Sequence, residues 1–243
     1  MSSGPAGGRI VALDLTRSGA LLAMAIYHFC FDLEMFGWLP PATATTGALR
    51  VFAIATASSF LFLAGVSLWL AHGQGIRWRP FWRRLAMVVA AAAAISVSSL
   101  FWAPGAPVYF GILHAIATMS VLGLAFLRLP AAALIVLAAA VLALPFFWSS
   151  PAFDPRWLAW TGFAQYPPPS VDFEPVFPWF AAFLAGMATG RIGTATGLWD
   201  SLRGAPGPVA NALAFPGRHS LIVYLLHQPV LIALVAGATQ LLR

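Results

Sequence analysis

Seven apolar stretches of close to twenty residues, parted by short polar or proline-rich connections, leave this chain few ways to fold. They run approximately from Thr16 to Leu39, Ala48 to Leu70, Phe81 to Ala103, Val108 to Leu127, Ala131 to Trp148, Val176 to Ile192 and Ser220 to Leu241. About 20 apolar residues is the length a helix needs to cross a hydrocarbon core. Inside lipid, a helix satisfies its own backbone hydrogen bonds. Composition agrees: 60% of the 243 residues are hydrophobic and 8% charged, against roughly 25% charged in a soluble domain. The sequence therefore predicts an all-α polytopic transmembrane helix bundle of about seven spans. The fifth and sixth segments are the short ones, and Pro145 and Pro178 near their ends predict local unwinding there.

Arginine placement orients the bundle. With the N-terminus cytoplasmic, ten of the thirteen basic residues fall on the inner side and only Arg50, Arg156 and Arg243 on the outer. That bias predicts an N-in, C-out topology and accounts for most of the net charge of +6. No basic run with interleaved aromatics reads as a nucleic-acid surface. The first eight residues, MSSGPAGG, read as a flexible tail, and residues 9–243 as one membrane domain. The first apolar segment is too long and too polar at its centre for a cleaved signal peptide. Two loops are long. The outer one, from Ser149 to Glu174, is proline-dense and stiff, hence a lid or partial plug. The inner one, from Gly193 to Arg218, contains an amphipathic piece, GLWDSLR, suited to the membrane surface.

The first span carries the ionisable residues that need explaining. Charge inside a membrane helix costs on the order of 2.5 to 3.5 kcal/mol and usually marks function. At about 100° per residue, His28 returns to within roughly 20° of Arg17 and lies about 16 Å further along the axis. Asp14 and Asp32 share that side, so the four form one polar stripe, while Glu34 is placed to snorkel to the outer interface. A purely structural stripe would hydrogen-bond His28 to Asp32, four residues on.

Other candidates lie on later spans. His114 and His227 fall at depths comparable with His28, which predicts a polar core within the bundle. Ser220, Tyr224 and His227 share one face of the last helix, followed by Gln228 and Pro229. Arg83 and Arg84 open the third span, where a guanidinium fork suits a bound phosphate. The sole cysteine, Cys30, excludes a disulfide framework. No metal-ligand spacing is present, and no GxSxG nucleophile elbow.

Several segments together carry a resemblance: DLTRSGALLAMAIYHFCFDLEMFG, FLFLAGVSL followed by FWRRLAM, GILHAIATM, FPWFAAFLAGMATG and GRHSLIVYLLHQPV. They resemble bacterial members of the heparan-alpha-glucosaminide N-acetyltransferase catalytic family, within a wider superfamily of transmembrane acyltransferases. The most specific element is Arg, ten residues, then His, filled by Arg17 and His28; the arginine pair is filled by Arg83 and Arg84. The resemblance implies an enzyme that takes an acetyl or other short acyl group from acyl-CoA on the cytoplasmic side of a bacterial inner membrane. The acceptor would be an amino or hydroxyl group of a sugar or glycan. In that picture His28 is the general base or acyl carrier, oriented by Asp32. Arg17, Arg83 and Arg84 hold CoA phosphates, and His114, Tyr224, His227 and Gln228 line the acceptor site.

The residues alone also fit a proton-coupled transporter or flippase running on His28, Asp32 and His114, or a scaffold subunit without catalysis. Association into homo-oligomers is left open by the sequence. Acyl transfer asks for a base of near-neutral pKa, which histidine supplies, and for oxyanion donors, for which Tyr27, Ser220, Tyr224 and Gln228 are candidates.

Overall fold

A computed structural model of the chain describes residues 9–204 and 206–242; the tail expected over residues 1–8 lies outside them. Among the described residues each of the seven apolar segments is helical: α1 Val11–Met35, α2 Gly47–His72, α3 Trp78–Trp102, α4 Ile112–Phe126, α5 Ala131–Phe147, α6 Val176–Ala195 and α7 Ser220–Leu242. Of these, α2, α3 and α7 are long and apolar enough to cross a membrane, while α4 and α5 are apolar but shorter. The chain reads as a multi-pass membrane protein. The fourth helix begins later than its apolar run because Val108–Gly111 is engaged elsewhere. The Val108 amide donates to Ser99 Oγ at 2.9 Å, and Phe110 bridges to Phe173 of the outer loop.

The chain divides into two compact units, one made of everything up to Phe60 together with everything from Gly197, the other of Leu61–Thr196. In the second, the latter part of α2 and the whole of α6 supply most of the buried side chains, among them Leu61, Val66, Phe183, Leu184 and Met187. Two glycines let these helices approach. A Cβ on Gly65 would stand 2.0 Å from the Phe183 carbonyl oxygen, and one on Gly186 2.0 Å from that of Phe62. Helix α6 also packs on α4 and α5. The unwinding expected at Pro178 is present: Phe177 is extended (φ −96°, ψ 130°). Pro145, by contrast, sits in the last turn of α5, which continues to Phe147. The outer loop is ordered around an aromatic cluster in which Phe163 meets Trp148, Phe153 and Phe177.

In the first unit α1 packs on α7 and on two short helices, Pro208–Leu213 and Phe215–Arg218. Gly37, at φ 73°, ends α1 in the left-handed conformation that favours glycine. The carboxylate of Glu34 accepts the amides of Ala42 and Ala44 at 2.7 and 2.6 Å and shapes the loop after α1. Of GLWDSLR only Leu198–Ser201 is helical, and its Trp199 is buried.

Candidate functional site

Two clusters in the first unit use the polar stripe of α1. At its lower end Asp14 is 1% exposed and surrounded by arginine. Arg9 Nε lies 2.6 Å from Oδ2 and Arg17 Nη1 2.8 Å from Oδ1, with Arg218 Nε 3.6 Å from Oδ2. Arg218 arrives because the turn at Gly217 lies flat on α1. The Gly217 amide donates to Ser18 Oγ at 2.8 Å, and a Cβ there would stand 1.9 Å from the Asp14 carbonyl oxygen. Asn211 Oδ1 accepts from Arg218 Nη2. Three guanidinium charges against one carboxylate leave a local excess of two positive charges. The buried Arg218 Nε has no hydrogen-bond acceptor. Such a cluster fits an anion, and a guanidinium fork fits phosphate oxygens best.

Three turns above, His28 of α1 meets His227 of α7, Nδ1 to Nε2 at 2.8 Å. The other nitrogen of His227, Nδ1, bonds the carbonyl oxygen of Tyr224. A carbonyl only accepts, so His227 Nδ1 carries the hydrogen and, in the neutral ring, Nε2 is the acceptor. His28 Nδ1 must then donate, which leaves the lone pair of His28 on Nε2. Asp32 does not orient this imidazole. It is fully buried and its Oδ1 accepts from Gln228 Nε2 at 2.7 Å. Asp32 Oδ2 and Gln228 Oε1 are buried without partners. The helical spacing that put Asp32 near His28 in the sequence is real, but α7 supplies a better-placed partner to each.

The first unit thus gathers Arg17, His28, Asp32, Tyr224, His227 and Gln228. Tyr27 and Tyr224 flank the imidazole pair, with ring centroids 5.5 Å from His28 and from His227 respectively. Arg83, Arg84 and His114 belong to the second unit. There Arg83 and Arg84 are exposed on α3, and Arg84 lines a small void with His72 and Ser120. His114 caps its own helix: Nδ1 accepts the Gly111 amide at 3.2 Å and Nε2 bonds Ser96 Oγ at 3.2 Å. Both ring nitrogens are therefore engaged within the protein.

Reasoning from sequence did not single out Arg9 and Arg218 as partners of Asp14. The available signal was the common inner level that the positive-inside pattern predicts for them, together with an acid at the start of the first apolar segment. It also missed Asp172 of the outer loop, which caps α4 by accepting the Ile112 amide at 3.1 Å.

No curated protein matches this chain, and neither does any solved structure. A family model described as heparan-alpha-glucosaminide N-acetyltransferase, catalytic, matches residues 9–229 and so takes in both clusters. The chain accordingly belongs to the heparan-alpha-glucosaminide N-acetyltransferase catalytic family, a membership that points to transmembrane acetyl transfer.

Proposed function

We propose that the protein is an acyl-CoA-dependent membrane acetyltransferase, set in a bacterial inner membrane with its N-terminus in the cytoplasm and acting on an amino or hydroxyl group of a sugar. The observation that carries this reading is His28, whose Nδ1 is committed to His227 and whose Nε2 keeps its lone pair. That is the arrangement of a general base. Family membership supplies the reaction class.

Within this reading, Arg9, Arg17 and Arg218 hold the phosphates of CoA, which the excess of positive charge and the unsatisfied Arg218 Nε fit. When bound, CoA supplies the activated acyl carbonyl as its thioester. His28 Nε2 removes the proton from the attacking group, and Tyr27 and Tyr224, whose rings lie 5.5 Å from those of His28 and His227, are candidate oxyanion donors. Gln228 spends one of its two amide hydrogens on Asp32 and keeps the other as a candidate oxyanion donor. The reading rests on the first unit alone and draws nothing from Arg83, Arg84 or His114.

The test is thermal stabilisation of the purified protein by acetyl-CoA, since a ligand that binds only the folded state raises the midpoint. A rise is expected for the wild type and a smaller one for Arg218→Ala. No rise at millimolar acetyl-CoA overturns the proposal and favours a proton-coupled transporter.

A further inference from the structure

Asp32 is the residue that sequence spacing offers as the partner of His28, yet its bonded oxygen is committed to Gln228. The group that meets His28 is a second imidazole. His227 is neither a terminal acceptor nor a fixed dipole. It can itself take a proton on Nε2, because its Nδ1 hydrogen is already held by the Tyr224 carbonyl, and a protonated imidazole donates through both nitrogens. Two rings joined at 2.8 Å, with a bare nitrogen at one end and an anchored N–H at the other, make a directional path.

We infer that His28 and His227 form a two-ring proton relay in which His227 receives the positive charge that the acceptor's proton generates. This rests on His28 being the base of the proposed reaction. A proton leaves the attacking amino or hydroxyl group and forms a bond to His28 Nε2. The His28 Nδ1–H bond breaks as that hydrogen bonds to His227 Nε2. His28 ends neutral, with its hydrogen now on Nε2, and His227 ends as an imidazolium donating from Nδ1 to Tyr224. Run in reverse, the same two transfers return the proton to the departing thiolate. No other reactant is needed.

The surroundings isolate the pair. On α1, Asp14 is held by arginines, Asp32 by Gln228 and Glu34 by loop amides. Arg17 is bound to Asp14, Cys30 is a thiol on the same helix, and Tyr27 lies beside His28. On α7 the neighbouring titratable group is Tyr224. The short helices that pack on α1 bring Arg218, which is engaged with Asn211 and Asp14, and His219 follows them, bonding the Phe215 carbonyl. Among the described residues, the hydrogen-bonded partner through which His28 can pass on its charge is His227.

Ring-nitrogen NMR of the full chain with 15N-labelled histidine, assigned by single substitutions of its five histidines, reads the relay without turnover. At neutral pH both rings should be Nδ1–H tautomers, and on acidification both should respond together to one shared proton. His28 bearing its hydrogen on Nε2, or responding alone, overturns the relay whatever the enzyme's activity proves to be. The second arm is His227→Gln, whose Oε1 still accepts from His28 Nδ1 but cannot take a proton. With glucosamine as probe acceptor and acetyl-CoA as donor, it should keep the His28 tautomer and KM while kcat falls roughly 10²-fold, the lower range for a lost acid–base group. Unchanged kcat in that variant reduces His227 to a support and also overturns the proposal.

Discussion

Replacing Asp14 by alanine should weaken the protein and strengthen its hold on anions at the same time. Removing one partner of a buried ion pair costs about 3–5 kcal/mol because the other charge is left uncompensated. Here the partners are not fully enclosed: the side chains of Arg17 and Arg218 are 25% and 22% exposed. Arg9, at 59%, loses little by turning to water. The expected cost is therefore about 2–4 kcal/mol. For a chain of this length each kcal/mol is worth about 2–4 °C, so the midpoint followed by intrinsic tryptophan fluorescence in lipid nanodiscs should fall by roughly 4–16 °C. The same change raises the local excess from two positive charges to three. A tenfold gain in affinity for CoA is about 1.4 kcal/mol, which should make the CoA-induced rise about 3–6 °C larger in Asp14→Ala than in the wild type. A variant that melts with the wild type, or whose CoA-induced rise is smaller, would refute the view of Asp14 as the structural counter-ion of an anion site.

Gly217→Ala should be more damaging than an ordinary loop substitution, because its Cβ would stand 1.9 Å from the Asp14 carbonyl oxygen and lift Arg218 off α1; a lower melting midpoint together with a weaker CoA-induced rise is the expected pair of results. His28→Ala should abolish acetyl transfer to glucosamine while leaving the CoA-induced rise in midpoint intact; full turnover would remove His28 from the mechanism. In the outer loop, burial raises the carboxyl of Asp172 to about 6 from an ordinary 3.8. Burial and then the neighbouring Asp172 raise Glu174 well above its usual value. The folded loop thus holds protons that the unfolded loop releases. Its advantage is complete below pH about 4 and is lost as the pH rises through about 6 and beyond. Limited proteolysis of this loop should be slower at pH 5 than at pH 8, after correction for protease activity, and the double variant Asp172→Asn, Glu174→Gln should flatten that difference.

Apolar run length was enough to place all seven principal helices, because a segment that must satisfy its own backbone in lipid has little choice of conformation. Phe177 unwound where Pro178 foretold it. What the sequence could not rank was partners. Asp32 lies one turn from His28 on the same helix, and spacing alone favours that pair, yet α7 brings Gln228 to one and His227 to the other across 196 and 199 residues. Long-range pairing of this kind leaves no periodic trace. His114 shows the converse: its depth suggested a shared polar core, whereas a local capping bond three residues back and Ser96 account for both nitrogens. The two amides of its own loop that Glu34 accepts were likewise not foreseen from spacing.

The contacts that hold α1 and the turn after it to α7 and the short helix before it, from Gly217 on Ser18 through the imidazoles to the Trp38 indole on Thr239, join residues 199 to 201 positions apart in the chain. At about 5–20 residues per second, α1 waits roughly ten to forty seconds in the bilayer before its partner emerges. Throughout that interval Asp32 has no Gln228, His28 has no His227 and Asp14 has no Arg218. The insertion machinery, or a transient occupant of the same stripe, would have to shelter α1 until α7 has been made.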